Sequence, residues 1–144
     1  MIELPQLEEH LKSLKKEQWS KLFSLLEPLN SNLEHGTLMD GKKQPDGTIP
    51  FPFYVMGPVI EKLIHVIYEL DIAPAFDWTS WIEGRQILNN EKQDFNTLSP
   101  VALCKLLTLI LRNDRFMEGF LLSRCNDGTM ARIISALRKK FSPE

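Results

Sequence analysis

Along most of this chain apolar residues return every three or four positions, the spacing of a helix with one face turned to a core. Leu4, Leu7, Leu11 and Leu14 form one such series, and Trp19, Leu22, Phe23 and Leu26 a second that Pro28 is expected to stop. Glu8, Glu9, Lys12, Lys15 and Lys16 fall between the leucines, as a solvated face requires. The leucine pattern covers too little chain to sustain a coiled-coil seam, so packing onto the core is the expectation.

From Gly36 to Gly57 the periodicity disappears and Gly36, Gly41, Pro45, Gly47, Pro50, Pro52 and Gly57 punctuate the chain. Pro45-Asp46-Gly47 reads as a turn, and Thr48 to Val55 as extended chain in which alternate prolines discourage a central strand. An aromatic cluster of Phe51, Phe53 and Tyr54 is expected to anchor this long loop. Loops of this length inside a small domain are often functional.

Helical spacing resumes at Pro58, a residue suited to the first helical position, and continues to about Leu70. Glu61, His65 and Glu69 make the polar stripe of this helix, so His65 reads as a surface histidine rather than a metal ligand. Asp77 is placed to cap the next helix, with Phe76 packing on Trp81 as a hydrophobic staple. Ser99 and Pro100 repeat that kind of start, and the helix they open is polar only at Lys105, Thr108 and Arg112. It is the expected central core helix. Asp114 then caps a helix from Arg115 to about Cys125, Asn126-Asp127-Gly128 turns the chain, and Met130, Ile133, Ile134, Leu137 and Phe141 share one face of the last helix.

The expected architecture is all-α, a single compact domain of about seven helices packed through short connections. Its parts are the N-terminal helices in 1–35, one long extended Pro/Gly-rich loop in 36–57 and a helical core in 58–141. A length of 144 residues can bury a core without disulfides or metal. Cys104 and Cys125 have no CxxC spacing and no histidine at ligand spacing, and they read as buried reduced thiols of a cytoplasmic protein. Met1-Ile2-Glu3-Leu4-Pro5 has the form of no signal peptide. Val101 to Leu111 is broken by Lys105 and far short of the roughly 20 residues of a membrane span. No membrane partner is expected.

The net charge of −2 conceals an asymmetry, because residues 101–144 carry eight basic side chains against four acids. Arg138, Lys139 and Lys140 among them fall in the last turn of the final helix, where they complement its dipole. A nucleic-acid-binding helical domain is therefore only the third reading, the more so because the helix that would enter a groove, Arg115 to Cys125, is largely apolar.

Charges and a glycine interrupt the most hydrophobic part of the chain at Arg112-Asn113-Asp114-Arg115-Phe116-Met117-Glu118-Gly119. One reading is structural: Asp114 caps, Arg115 pairs with Glu118 three residues on, and Gly119 lets two helices approach. The other gathers Tyr54, Asp77, Trp81, Asp114, Arg115 and Glu118 as a ligand-binding or interface site in which Arg115 grips an anion bidentately. No nucleophile stands beside a base, and no HExxH or phosphate-cradling loop is present in the sequence. No catalytic residue, cofactor or metal is assigned. A non-catalytic module binding another protein or a small anionic ligand ranks first, and a small enzyme using the Asp/Glu/Arg cluster second.

Pro52 to Tyr54, Phe76-Asp77-Trp78-Thr79-Ser80-Trp81 and the run from Leu106-Leu107-Thr108 to Gly119 together resemble a bacterial family of small helical domains of unknown function. The shared pattern is an aromatic-rich Pro–Tyr segment, a DWxxW motif and an LLTxxxRxDRFxEG motif followed nine residues later by a glycine, here Gly128. The resemblance covers roughly residues 45–140 and leaves 1–35 outside. It implies a mainly helical, bacterial, cytoplasmic protein. It brings no activity and no catalytic residue, and it draws attention to Asp77, Trp81, Asp114, Arg115 and Glu118.

Overall fold

The computed structural model describes residues 1–31, 35–39, 45–48 and 53–142. The first leucine series folds as a 3-10 turn, Leu4–Gln6, and helix α1, Leu7–Ser13. The second folds as α2, Lys16–Phe23, and a single turn α3, Leu26–Leu29. Pro28 therefore does not stop the second helix, which ends five residues earlier. It sits inside the first turn of α3, where a backbone N–H has no helical partner to lose.

The Gly/Pro-rich segment contains two short strands, β1, Gly36–Met39, and β2, Phe53–Met56. They pair antiparallel, with Gly36 opposite Met56 and Met39 opposite Phe53. Of the extended stretch expected from Thr48 to Val55, Phe53 to Val55 lie in β2, Thr48 does not, and residues 49–52 lie outside the described residues. Gly36 is required by crowding, since a Cβ there would lie 2.5 Å from the Val55 carbonyl oxygen and 2.9 Å from Leu122. Phe51 and the side chain of Phe53, two thirds of the expected aromatic anchor, fall outside the described residues. His35, buried beside β1, ties the sheet down: its Nε2 lies 3.0 Å from the Leu29 carbonyl, its N–H donates to Asn126 Oδ1 and its carbonyl accepts from Gly57.

Helix α4, Pro58–Glu69, buries Ile60, Leu63, Val66 and Ile67 and leaves His65 exposed. Asp71 follows with a φ of 55° and accepts the Ile2 N–H, which fastens the N-terminal segment beside Ala75. A 3-10 turn, Trp78–Ser80, precedes α5, Ile82–Asn89. After the 3-10 turn Phe95–Thr97 comes α6, Pro100–Asn113, started as expected by Pro100 and by the Ser99 hydroxyl accepting the Ala102 N–H at 3.1 Å. Two helices complete the fold, α7, Phe120–Asn126, and α8, Thr129–Phe141, which turns in with Gly128 at a φ of 87°.

Helix α6 occupies the centre, with every residue from Leu106 to Leu111 buried. Thr108 does not belong to an outward polar stripe: it is wholly buried, and its hydroxyl donates to the Cys104 carbonyl one turn back at 2.8 Å, which satisfies it inside the core. One hydrophobic cluster runs from Leu7 and Trp19 through α4 and α6 to Leu137. Trp19 fixes α2 to α8 by stacking between Phe23 and Phe141 at centroid distances of 5.4 and 4.5 Å. Among the described residues the elements are helical apart from one two-stranded sheet, and the architecture is all-α. Among the described residues no helix is long and apolar enough to cross a membrane.

Candidate functional site

The segment from Asp114 to Gly119 is not helical, although a helix was expected from Arg115. It forms a projecting turn between α6 and α7, closed by hydrogen bonds from the Phe116 and Met117 N–H groups to the Asn113 carbonyl at 3.0 and 2.9 Å. Gly119, at a φ of 88°, ends the turn in a left-handed conformation that a side chain would strain. Asp114 does cap the following helix, but across the whole turn. Its Oδ1 accepts the Leu121 N–H at 3.1 Å, one of the first free donors of α7, while glycine occupies the ordinary cap position.

Glu118 is spent on a different backbone. Its Oε1 accepts the Tyr54 N–H from β2 at 3.0 Å. The Tyr54 ring lies against Gly119, so that a Cβ on that glycine would come within 2.8 Å of the ring. Glycine therefore serves two ends here, the turn conformation and the close approach of an aromatic face. Arg115 is exposed and makes no ion pair with Glu118 among the described residues; the expected pair depended on a helical spacing that the turn abolishes.

The tryptophan-rich motif meets the same turn at a second point. Trp78 meets Phe116 with ring centroids 5.8 Å apart. Asp77 precedes a 3-10 turn instead of an α-helix, and it accepts from the Thr79 hydroxyl at 2.7 Å. The Thr79 hydrogen bond first and the Ser80 one second hold its carboxyl below the usual carboxylate range. Phe76 and Trp81 do touch, edge to face at 5.7 Å, but Trp81 is the residue before α5 rather than one inside it. Lys105 of α6 lies 4.2 Å above the Trp81 ring and 5.1 Å from that of Phe76, and Gly84 admits the same indole so closely that any Cβ would overlap it.

The tertiary structure thus joins Tyr54, Glu118 and Gly119 at one contact and Trp78 and Phe116 at another. Asp77, Asp114 and Glu118 each hold a hydroxyl or backbone N–H of their own surroundings. Among the described residues no three His, Cys, Asp or Glu side chains are grouped to hold a metal ion.

Two features of the region lie beyond the six expected residues. Phe116 is 78% exposed and Met117 58%, large apolar side chains held out by the turn. Beside them a cleft of about 220 Å³ opens between α5, α6 and the turn, lined by Arg85, Leu88, Asn89, Leu109, Asn113, Met117 and Phe120. The sequence signal for the first was two apolar residues set among charges. For the second there was none, since its lining is drawn from three separate segments.

No curated protein and no solved structure matches the chain. A family model does match, over residues 14–142, so the likeness extends well into the N-terminal helices that the motif pattern left outside. That range takes in Trp19 and Leu22, which share one core with α6 and α8. The chain belongs to the family of unknown function DUF6508.

Proposed function

We propose that the protein is a non-catalytic interaction module whose docking surface is the turn between α6 and α7, and that its occupant is an acidic segment of another protein carrying apolar anchors. The observation that carries this reading is the exposure of Phe116 and Met117 beside Trp78. Adjoining apolar side chains held out by a braced turn are the kind of group that dominates binding when a partner buries them. Ile82, 69% exposed and three residues before Arg85 on α5, adds a further apolar group near the cleft.

Charge selects the occupant. Arg85 and Arg115 are exposed at this surface and face no carboxylate among the described residues, whereas Asp77, Asp114 and Glu118 are engaged by local donors. An acidic partner would gain complementary pairing with little competition from the module's own acids. The same engagement of the carboxylates weighs against acid–base catalysis. A groove-reading role has lost its helix, because α7 spans only Phe120–Asn126 and buries Leu121, Leu122 and Cys125. A bacterial cytoplasmic setting agrees with two free, buried thiols, Cys104 and Cys125, both pushed up to about 12 by burial.

Site-specific photo-crosslinking in cells tests the reading. A benzophenone side chain at position 116 is expected to capture a distinct protein, and the adduct should disappear with Arg115→Glu; the same probe at Lys16, on the exposed side of α2, should not capture it. No adduct at 116, or an adduct indifferent to the charge at 115, would overturn the reading. A homodimer alone would overturn it too.

A further inference from the structure

The cleft between α5, α6 and the turn has two chemically distinct zones. Leu88, Leu109, Phe120 and Met117 supply apolar walls, with Leu109 buried in the core of α6. Arg85, Asn89 and Asn113 supply the polar lining. The Arg85 guanidinium makes one long contact, 3.4 Å to the Thr79 carbonyl, and meets no carboxylate among the described residues. Neither Asn89 nor Asn113 has a side-chain hydrogen bond among the described residues, although the Asn113 backbone carbonyl is engaged by the turn. One fixed positive charge and two carboxamides, with their hydrogen-bonding capacity unspent, therefore line an apolar recess.

Size narrows what fits. An apolar cavity of about 150 Å³ accommodates benzene, whereas drug-sized ligands occupy roughly 300–1,000 Å³. At about 220 Å³ the cleft accepts one ring or branched aliphatic group with a short polar extension. Charge narrows it further. The planar guanidinium fork matches a carboxylate bidentately, and carboxamides can donate to its remaining lone pairs.

We propose that this cleft is a binding site for a small monocarboxylate bearing one aromatic or branched aliphatic group. The apolar group enters against Leu109 and Phe120, and the carboxylate stays at the polar lining, facing Arg85 with Asn89 and Asn113 beside it. Because Arg85 is solvent-exposed, the charge is not fully desolvated, and the site binds a ligand of this size at about millimolar strength. The cleft shares Met117 and Arg85 with the protein-docking surface, but Phe116 does not line it, so a change at Phe116 separates the two.

The test is an NMR titration of the isotopically labelled protein with phenylacetate and, separately, with the neutral phenylacetamide. Phenylacetate is expected to shift the side-chain amides of Asn89 and Asn113 and the methyl signals of Leu88 and Leu109. Phenylacetamide, and phenylacetate with Arg85→Gln, should bind at least about tenfold more weakly, the loss expected for one charge-assisted contact. Phe116→Ser should leave the phenylacetate titration unchanged. Arg85 is exposed, so its variant is expected to fold, and an unaltered amide spectrum verifies this. Equal affinity for acid and amide, full binding by Arg85→Gln, shifts confined to another face, or no shift at 20-fold the expected millimolar constant would each overturn the proposal.

Discussion

The Glu118 carboxylate accepts the backbone N–H of Tyr54 at 3.0 Å, across 64 positions of sequence. This single bond fastens strand β2 to the turn between α6 and α7, and it turns an apparent surface charge into a bracket. Glu118→Ala should therefore speed hydrogen exchange at the Tyr54 amide and lower stability by about 1 kcal/mol. Glu118→Gln keeps an acceptor oxygen and should retain most of the protection. Unchanged exchange at Tyr54 in the alanine variant would show that the bracket does not form in solution.

Gly119 and Gly128 share almost the same backbone conformation, with φ of 88° and 87°, but not the same surroundings. A Cβ at Gly128 would meet nothing within 4 Å, whereas at Gly119 it would press on the Tyr54 ring at 2.8 Å. Gly128→Ala should lose only the left-handed backbone penalty, about 1–2 kcal/mol. Gly119→Ala should lose more, and the excess should vanish in combination with Tyr54→Ala. Denaturant unfolding of the variants measures this directly, and equal losses at the two glycines would remove the packing argument.

Asp114 and Arg115 are neighbours with different duties. Asp114→Ala withdraws the acceptor for the Leu121 N–H, and a lost cap of this kind costs about 1 kcal/mol, with Asn restoring most of it. Arg115 is exposed and has no partner among the described residues, so Arg115→Ala should change stability by less than about 0.5 kcal/mol. Urea midpoints of the three variants decide this. A large loss on removing Arg115 would make it structural and weaken its assignment to a docking surface.

Lys21 and Glu69 form an exposed ion pair at 2.7 Å between α2 and α4. The hydrogen bond from Lys21 and then its charge lower the Glu69 carboxyl below its ordinary 4.5. Because the folded value is the lower one, the contribution to stability is present above about pH 4.5 and is lost as pH falls through the folded value. The difference in Tm between the wild type and Lys21→Met should thus be small but measurable at neutral pH and close towards acid. A difference that widens as pH falls would contradict the pairing.

The helices were legible because their information is local. Apolar spacing located α1, α2, α4, α6 and α8, and the Ser99-Pro100 start was correct to the residue, since a cap and a proline act within one turn of chain. The interior of α6 was less legible: Thr108 looks polar in sequence, yet a bond to the carbonyl four residues back lets it be buried. The turn from Asp114 to Gly119 misled for a related reason. Its residues can all be helical, and only the position of Tyr54 against Gly119 and of Trp78 against Phe116 shows what else competes for them.

By itself the sequence determined that the protein is a helical domain with one break in its pattern, and it picked out the acids and aromatics of the DWxxW and DRFxEG segments, because periodicity and capping chemistry are set by near neighbours. Tertiary structure decided what those residues do. Asp114 reaches over a turn to a helix it does not adjoin, Glu118 holds a strand, Arg115 is left without the partner three residues away, and Arg85, Asn89 and Asn113 come to line one cleft from two helices. The reason is physical: a side chain's partner is fixed by distances in space, and between segments dozens of residues apart those distances exist only after the core has packed.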